Sequence, residues 1–218
     1  MMKLLLAGGT GLVGRSLIAL AKGRLIPITT VGRRITGDVE NELVVDFTAL
    51  PTLPAADTAI CTLGTTMGDA GSKDAFKAVD FDAVIAFARA AKESGVSHFL
   101  IVTAIGADSE SRAFYSRVKG AVEIELTTIG FNRLDILRPG LLLGKRQSRR
   151  PVEQFLQYLS PMISLIARGP WSRYASISAE QLAGALLALC HETTPGVFYH
   201  QSPELQCLGG ETQRGDLT

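Results

Sequence analysis

The sequence predicts a doubly wound α/β domain, a parallel sheet with helices on both faces, and three observations carry that prediction. Short β-rich apolar runs alternate with longer stretches of helical periodicity along most of the chain. The runs are apolar at consecutive positions, as in Phe99-Leu100-Ile101-Val102, which marks strands buried on both faces. Finally, the glycine-rich stretch Ala7-Gly8-Gly9-Thr10-Gly11-Leu12-Val13-Gly14 falls between the first apolar run and the first helical one.

Taken in order, residues 3–7 read as a strand and 12–22 as a helix, with Leu12, Ser16, Ala19 and Leu20 at helical spacing. Residues 25–31, 42–46 and 57–62 follow as strands. The link 47–56 holds Pro51 and Pro54 and is near the lower limit for a parallel crossover, so it has room for a helical turn at most. One long helix is expected over 72–94, its stripe made by Phe76, Val79, Ala83, Val84, Phe87 and Ala90. Residues 98–103 are a strand, 112–129 a helix and 133–138 another strand, with right-handed crossovers.

After Gly140 the pattern weakens. Lys145 to Arg150 form a basic loop, and 152–168 read as helical with an interruption at Pro161. Residues 178–191 are a helix that Ser178 caps, Gln181 holding the capping-box position. Residues 197–200 complete the strands, and 209–218 are polar and Gly-rich, as in a frayed tail. The expected organisation is one domain over 1–209, a small substrate lobe around 141–180, and a tail at 210–218.

The charge balance, 22 basic against 21 acidic residues, lacks the basic excess of a nucleic-acid binder. Cys61, Cys190 and Cys207 are far apart and lack CxxC spacing, and His98, His191 and His200 lack helical ligand spacing, so neither a disulfide framework nor a metal site is indicated. No stretch reaches the ~18 uninterrupted apolar residues of a membrane helix. The glycines at 8, 9 and 11 break the leucine run too early for a secretory core. These features lead to the expectation of a cytoplasmic protein.

The glycine stretch matches GxGxxG through Gly9, Gly11 and Gly14. In a strand–turn–helix context such glycines permit a tight turn and let a pyrophosphate approach the backbone, while the helix N-terminus supplies N–H groups and partial positive charge. This makes the domain Rossmann-type. At the end of the second strand an acid would favour NAD through the ribose hydroxyls. The chain instead has Arg33 and Arg34, which suit the 2′-phosphate of NADP(H).

Tyr115 and Lys119 form a YxxxK pair one helical turn apart. The pair follows the strand ending at Thr103, where the ligand crevice of such a sheet opens. A nearby ammonium favours the phenolate of a tyrosine, making it a usable acid/base, and Thr103 is placed to orient a substrate carbonyl.

Together these residues resemble the short-chain dehydrogenase/reductase superfamily: glycine turn, hydroxyl residue, YxxxK, then Leu137-Arg138-Pro139-Gly140. More narrowly, Cys61-Thr62-Leu63-Gly64-Thr65-Thr66, Ala78-Val79-Asp80-Phe81-Asp82, Gly106-Ala107-Asp108 and Phe114-Tyr115-Ser116-Arg117-Val118-Lys119-Gly120 resemble its atypical branch of Tat-interacting oxidoreductases. Bacterial proteins labelled nucleoside-diphosphate-sugar epimerases belong to the same branch. The resemblance implies that Gly8, Thr10, Gly11, Leu12 and Val13 cradle the pyrophosphate and that Arg33 and Arg34 hold the 2′-phosphate. It further implies that Asp46 and Phe47 flank adenine, that Leu63, Gly64, Thr65 and Lys119 line the nicotinamide-side ribose, and that Thr103, Tyr115 and Lys119 are catalytic. Thr103-Ala104 departs from the pattern, offering one hydroxyl where many relatives show two serines.

The expected function is an NADP(H)-dependent oxidoreductase of a small carbonyl or alcohol, with Tyr115 as general acid/base. One alternative is an NADP(H)-binding regulator that binds another protein. Another is a sugar-nucleotide epimerase or dehydratase, for which the C-terminal lobe is short. The basic loop, the substrate and the oligomeric state stay open, and Trp171 and Tyr174 either roof the substrate pocket or pack beneath the terminal helix.

Overall fold

The computed structural model describes residues 2–143 and 176–214. The residues Leu4-Leu5-Leu6-Ala7 show why its strands are apolar throughout. Leu4 and Leu6 point into a core shared with helices on one face, and Leu5 and Ala7 into a second core on the other. Strands β1 (Leu4–Ala7), β2 (Ile28–Gly32), β3 (Asn41–Val44), β4 (Thr58–Cys61), β5 (His98–Val102), β6 (Arg133–Arg138) and, last in the chain, β9 (Gly196–Gln201) form one sheet in the order β3-β2-β1-β4-β5-β6-β9. Every pairing in it is parallel. The short strands β7 (Leu142–Leu143) and β8 (Ile177–Ser178) pair separately.

Helix α1 (Leu12–Gly23) packs on the first face with α6 (Ala179–Leu189) and α7 (Ser202–Arg214). Helices α4 (Ala83–Glu93) and α5 (Phe114–Ile129) cover the second, where Phe87 and Phe99 are fully buried and their rings lie 5.9 Å apart. Burying a side chain of that size contributes about 1.5–3 kcal/mol. The doubly wound architecture expected from the sequence is therefore present, and the 47–56 link carries no helix.

Three local expectations are corrected. The second strand starts at Ile28 rather than at residue 25, because Leu25 takes a left-handed φ of 55° in the turn that ends α1, where Ile26 N–H donates to the Ala21 carbonyl. The expected helix over 72–94 is α3 (Lys73–Lys77), a π-helical turn (Ala78–Asp82) and α4, preceded by the short α2 (Met67–Ala70). A widened turn in an otherwise helical stretch leaves the apolar stripe nearly in register, so periodicity does not reveal it. The tail is also ordered further than expected. Residues 209–214 continue α7, whose Leu205 is fully buried with Leu208 packed beside it, and Gly209 lies so close to α6 that a Cβ would meet the Gln181 carbonyl oxygen at 2.1 Å. The Ser178–Gln181 capping box is formed as expected. The basic loop, the 152–168 segment, Trp171 and Tyr174 lie outside the described residues, as does most of the expected substrate lobe.

Between β5, β6, β9 and α7 lies a buried charge cluster centred on Asp135. Its Oδ2 receives His98 Nε2 and Arg133 Nε, each at 2.6 Å, and its Oδ1 receives His200 Nε2 at 2.7 Å and an Arg133 Nη2 at 2.8 Å. His200 Nδ1 in turn meets Glu204 at 2.7 Å. Burial alone would raise the Asp135 carboxyl, but the bonds from His200, His98 and Arg133 outweigh it and hold it well below the usual range. Its stabilising contribution is thus complete above the ordinary carboxylate value and fades only in strong acid. Burial pulls His200 down and its carboxylate partners pull it up, with a net rise, so that contribution is lost as pH climbs through its raised value. Replacing Asp135 with Asn leaves Arg133 buried without its counter-ion. We expect a loss of about 3 kcal/mol or more in chemical denaturation at neutral pH.

Candidate active site

The chain leaves β1 towards β2 and β3 on one side and leaves β4 towards β5 and β6 on the other. Ala7 and Cys61, at the carboxyl ends of β1 and β4, are direct neighbours across this switch point, where ligands of open α/β sheets bind. Gly8 follows with φ +93°, and a Cβ on it would lie 2.6 Å from Thr62. The Thr62 hydroxyl donates to the Ala7 carbonyl at 3.1 Å, tying the two strand ends together. A Cβ on Gly14 would meet the Gly8 carbonyl oxygen at 2.3 Å, so only glycine lets α1 start this close to the turn.

Gly11 is the N-cap of α1, and the helix has neither a side-chain cap nor an acidic residue in its first turn. Its leading N–H groups and partial positive charge are left for an anion, which the pyrophosphate of a dinucleotide fits. Thr10 is fixed in the turn by Arg15, whose Nε donates to its carbonyl at 3.1 Å. Leu12 is half-buried and Val13 buried, so both contribute through backbone rather than side chain.

Arg33 and Arg34 are exposed in the loop after β2. The loop is drawn onto β3 by Glu42, which accepts from the Thr36 hydroxyl at 2.9 Å and the Gly37 N–H at 2.8 Å. Burial raises this carboxyl, and the bonds from Thr36, Gly37 and Val39 together outweigh it and carry it below its ordinary value. The Thr36 methyl would lie 2.9 Å from a Cβ on Gly9, so this loop borders the glycine turn. Asp46 is exposed in a turn, accepting the Thr48 N–H at 2.9 Å, and Phe47 packs partly on the second core.

Leu63, Gly64 and Thr65 run from the β4 end towards α5. There the Lys119 ammonium, buried, lies 2.7 Å from Asp80 Oδ1, and Asp80 Oδ2 accepts the Thr65 N–H at 2.8 Å. A Cβ on Gly64 would be 3.8 Å from the Lys119 Nζ. Tyr115, one turn before Lys119, is partly buried with its ring 5.7 Å from that of Phe76. The structure thus brings Tyr115, Lys119, Gly64 and Thr65 together and adds Asp80.

The electrostatics correct one expectation. Burial raises the Tyr115 phenol above its ordinary value. Lys119 pulls it down and Asp80 pushes it back up, and the net shift is upward. Burial likewise opposes the Lys119 charge, but Asp80 more than offsets it and raises the ammonium, with a smaller contribution from Tyr115. Lys119 does favour the phenolate, but burial outweighs its pull, so the phenol is not brought towards neutrality as expected.

Thr103 is corrected too. Its hydroxyl is buried and donates to Glu123 at 2.7 Å, and Glu123 is ion-paired with Arg138, whose guanidinium stacks 4.6 Å from the Tyr199 ring centroid. A hydroxyl with its proton so committed has none to give a substrate carbonyl. Asp80, Glu123, Arg138 and Glu42 organise the site, although no motif in the sequence assigns them that role. Asp80 had a signal: it stands four residues after Phe76 and four before Val84, an acid on an apolar stripe.

A glycine-turn dinucleotide cradle at the switch point, facing a tyrosine–lysine pair on the helix after β5, defines the protein as an atypical short-chain dehydrogenase/reductase with an NAD(P)-binding-type Rossmann domain. The HIM1 family model matches residues 25–166, and the chain belongs to that family. It is 39% identical over 158 residues to Protein HTATIP2 of Rattus norvegicus, a stretch covering 67% of this chain and 65% of that relative. With Protein fmp52, mitochondrial, of Aspergillus niger it shares 30% identity over 198 residues, 83% of this chain and 85% of the relative.

Among solved structures, the human epimerase family protein SDR39U1 with NADPH superposes with a TM-score of 0.65 at 18% identity, covering 97% of this chain and 80% of that one. MoeE5 in complex with UDP-glucose and NAD gives a TM-score of 0.69 at 14% identity, with coverage of 96% and 81%. At these identities the likeness is one of fold. The relatives overturn the expectation of a cytoplasmic protein, since the FMP52 proteins of several fungi are named mitochondrial. Unpaired cysteines and the lack of a secretory core do not separate the two compartments.

Gly14→Ala forces a methyl group against the Gly8 carbonyl. It should weaken NADPH binding about tenfold or more in a fluorescence titration, with the far-ultraviolet circular dichroism retained.

Proposed function

We propose that the protein is an NADP(H)-dependent oxidoreductase of a small carbonyl or alcohol substrate, with Tyr115 as the general acid/base. The observation that carries this reading is the path of residues 62–65. Thr62 touches the glycine turn, Gly64 borders Lys119, and Thr65 binds Asp80, so one short segment spans from the pyrophosphate cradle to the tyrosine–lysine pair. A dinucleotide laid along that segment has its phosphates at α1 and its nicotinamide end beside Tyr115.

Bound there, the reduced nicotinamide supplies a hydride. Leu63, Gly64 and Thr65 would line the ribose that carries it, and Lys119 would meet that ribose's hydroxyls. Tyr115 hands its phenolic proton to the carbonyl oxygen as the alcohol forms, or takes one in the reverse direction. Arg33 and Arg34 support NADP(H) over NAD(H), since exposed guanidinium groups on the loop whose Thr36 borders the glycine turn suit a 2′-phosphate.

A second reading, an NADP(H)-binding regulator with a protein partner, is favoured by the committed Thr103 hydroxyl, which removes a substrate-orienting donor. The likeness to sugar-nucleotide enzymes is of fold alone and favours neither reading.

Tyr115→Phe should lower turnover about a hundredfold or more in a carbonyl-reduction screen with NADPH, leaving NADPH affinity within about twofold. NADPH binding by the wild type with no reduction across a broad aldehyde and ketone panel would favour the regulator. Changing Arg33 and Arg34 together to Ala should cost about tenfold in NADPH affinity and leave NADH unchanged, read by nucleotide fluorescence.

A further inference from the structure

Residues 62–66 run from β4 to α2 with neither helix nor strand, so the stretch takes its place from bonds to other segments. At its start the Thr62 N–H and hydroxyl donate to the Ala7 carbonyl at 2.9 and 3.1 Å. At its far end the Thr65 N–H donates to Asp80 Oδ2 at 2.8 Å. Asp80 comes from a third element, the π-helical turn between α3 and α4, and is 1% exposed. Its Oδ1 lies 2.7 Å from the Lys119 ammonium on α5, its sole partner among the described residues. One buried carboxylate therefore holds the loop after β4 and a lysine on α5 at the same time.

Gly64 lies between the two. A Cβ on it would be 3.4 Å from Asp80 Oδ1 and 3.8 Å from Lys119 Nζ, so the loop backbone passes directly beside the ammonium. That ammonium has three N–H donors. Among the described residues it makes one ion pair, with Asp80, which leaves donors for the hydroxyls of a ligand. Without the carboxylate the Thr65 N–H loses its acceptor. The lysine, on a flexible four-carbon stem, would then be a costly unpaired charge inside the protein and would turn away towards solvent.

We infer that Asp80 is a positioning residue for the ribose next to the nicotinamide: it fixes the Lys119 ammonium and the 63–65 backbone against each other, so that both sides of the ribose site are set before a dinucleotide arrives. The inference rests on the dinucleotide orientation proposed above and assigns the residue that builds one part of it. Asp80 acts through Lys119 and Thr65, and the ordering of both is met in folding instead of in binding.

The test compares two ligands that differ by that ribose, 2′-phospho-ADP-ribose and adenosine 2′-phosphate 5′-diphosphate, each titrated calorimetrically into the full chain. Asp80→Asn keeps an acceptor for Thr65 but loses the ionic hold on Lys119. It should weaken the ribose-bearing ligand about tenfold and leave the other within about twofold. Lys119→Met should do the same, and adding Asp80→Asn to it should cost nothing more, because the acid acts through the lysine. The inference is overturned if either variant leaves the ribose-bearing ligand unaffected, if both ligands weaken equally, or if the losses add in the double variant. Hydrogen exchange measures the same arrangement in the unaltered protein, and decides if Asp80→Asn does not fold. The Thr65 amide should be protected in the nucleotide-free wild type, and an amide exchanging as fast as an unstructured one overturns the inference. A wild type that binds neither ligand removes the oxidoreductase reading and the inference together. One that binds both, with Asp80→Asn indistinguishable from it, removes the inference alone.

Discussion

The contact between the Gly8 backbone and Thr62 is the constraint on which the site depends. It exists because β1 and β4 are adjacent while the chain departs from them in opposite directions, leaving two loops to cross the same gap. Gly8 has to turn with a positive φ to clear Thr62, and that turn aims the start of α1 at the crevice. The same crowding delivers Leu63, Gly64 and Thr65 towards α5. A bulkier turn would part the strand ends and separate the anion cradle from the proton donor.

Around this frame the second layer is electrostatic. Each deeply buried carboxylate described is answered by a cation: Asp80 by Lys119, Glu123 by Arg138, and Asp135 by Arg133 with two histidines. Charge pairs of this kind add little net stability over an apolar core, but they penalise any arrangement that separates them. Here they join elements that apolar packing alone would leave free to slide: the π-turn to α5, α5 to the end of β6, and β5 to β9. The site is therefore held in register by charge, on a scaffold held together by the two apolar cores.

Much of this was legible beforehand. Consecutive apolar residues gave the parallel sheet, the glycine spacing gave the cradle, and the four-residue interval of Tyr115 and Lys119 placed them on one turn. What escaped depended on contacts between distant segments. Thr103 is a hydroxyl at the right strand end, yet its proton goes to Glu123, twenty residues on, which no local pattern announces. Spacing pairs Lys119 with its helical neighbour Tyr115, whereas its ammonium meets Asp80 from a turn that periodicity renders as plain helix. The polar composition of the tail conceals that α7, which runs into it, is anchored by Leu205 and Leu208.

The Asp135 cluster has a bearing on how the chain assembles. Asp135 reaches its His200 partner across a separation of 65 residues, and His200 arrives only with the last strand. During synthesis β1 to β5 can collapse around their own leucines and phenylalanines, but β6 then carries a carboxylate that still lacks one imidazole and the cover of α7. Closing so long a loop is slow compared with forming the helices before it. The edge of the sheet at β6 thus stays open until β9 has been made, and that strand acts as the latch that closes the buried charge cluster.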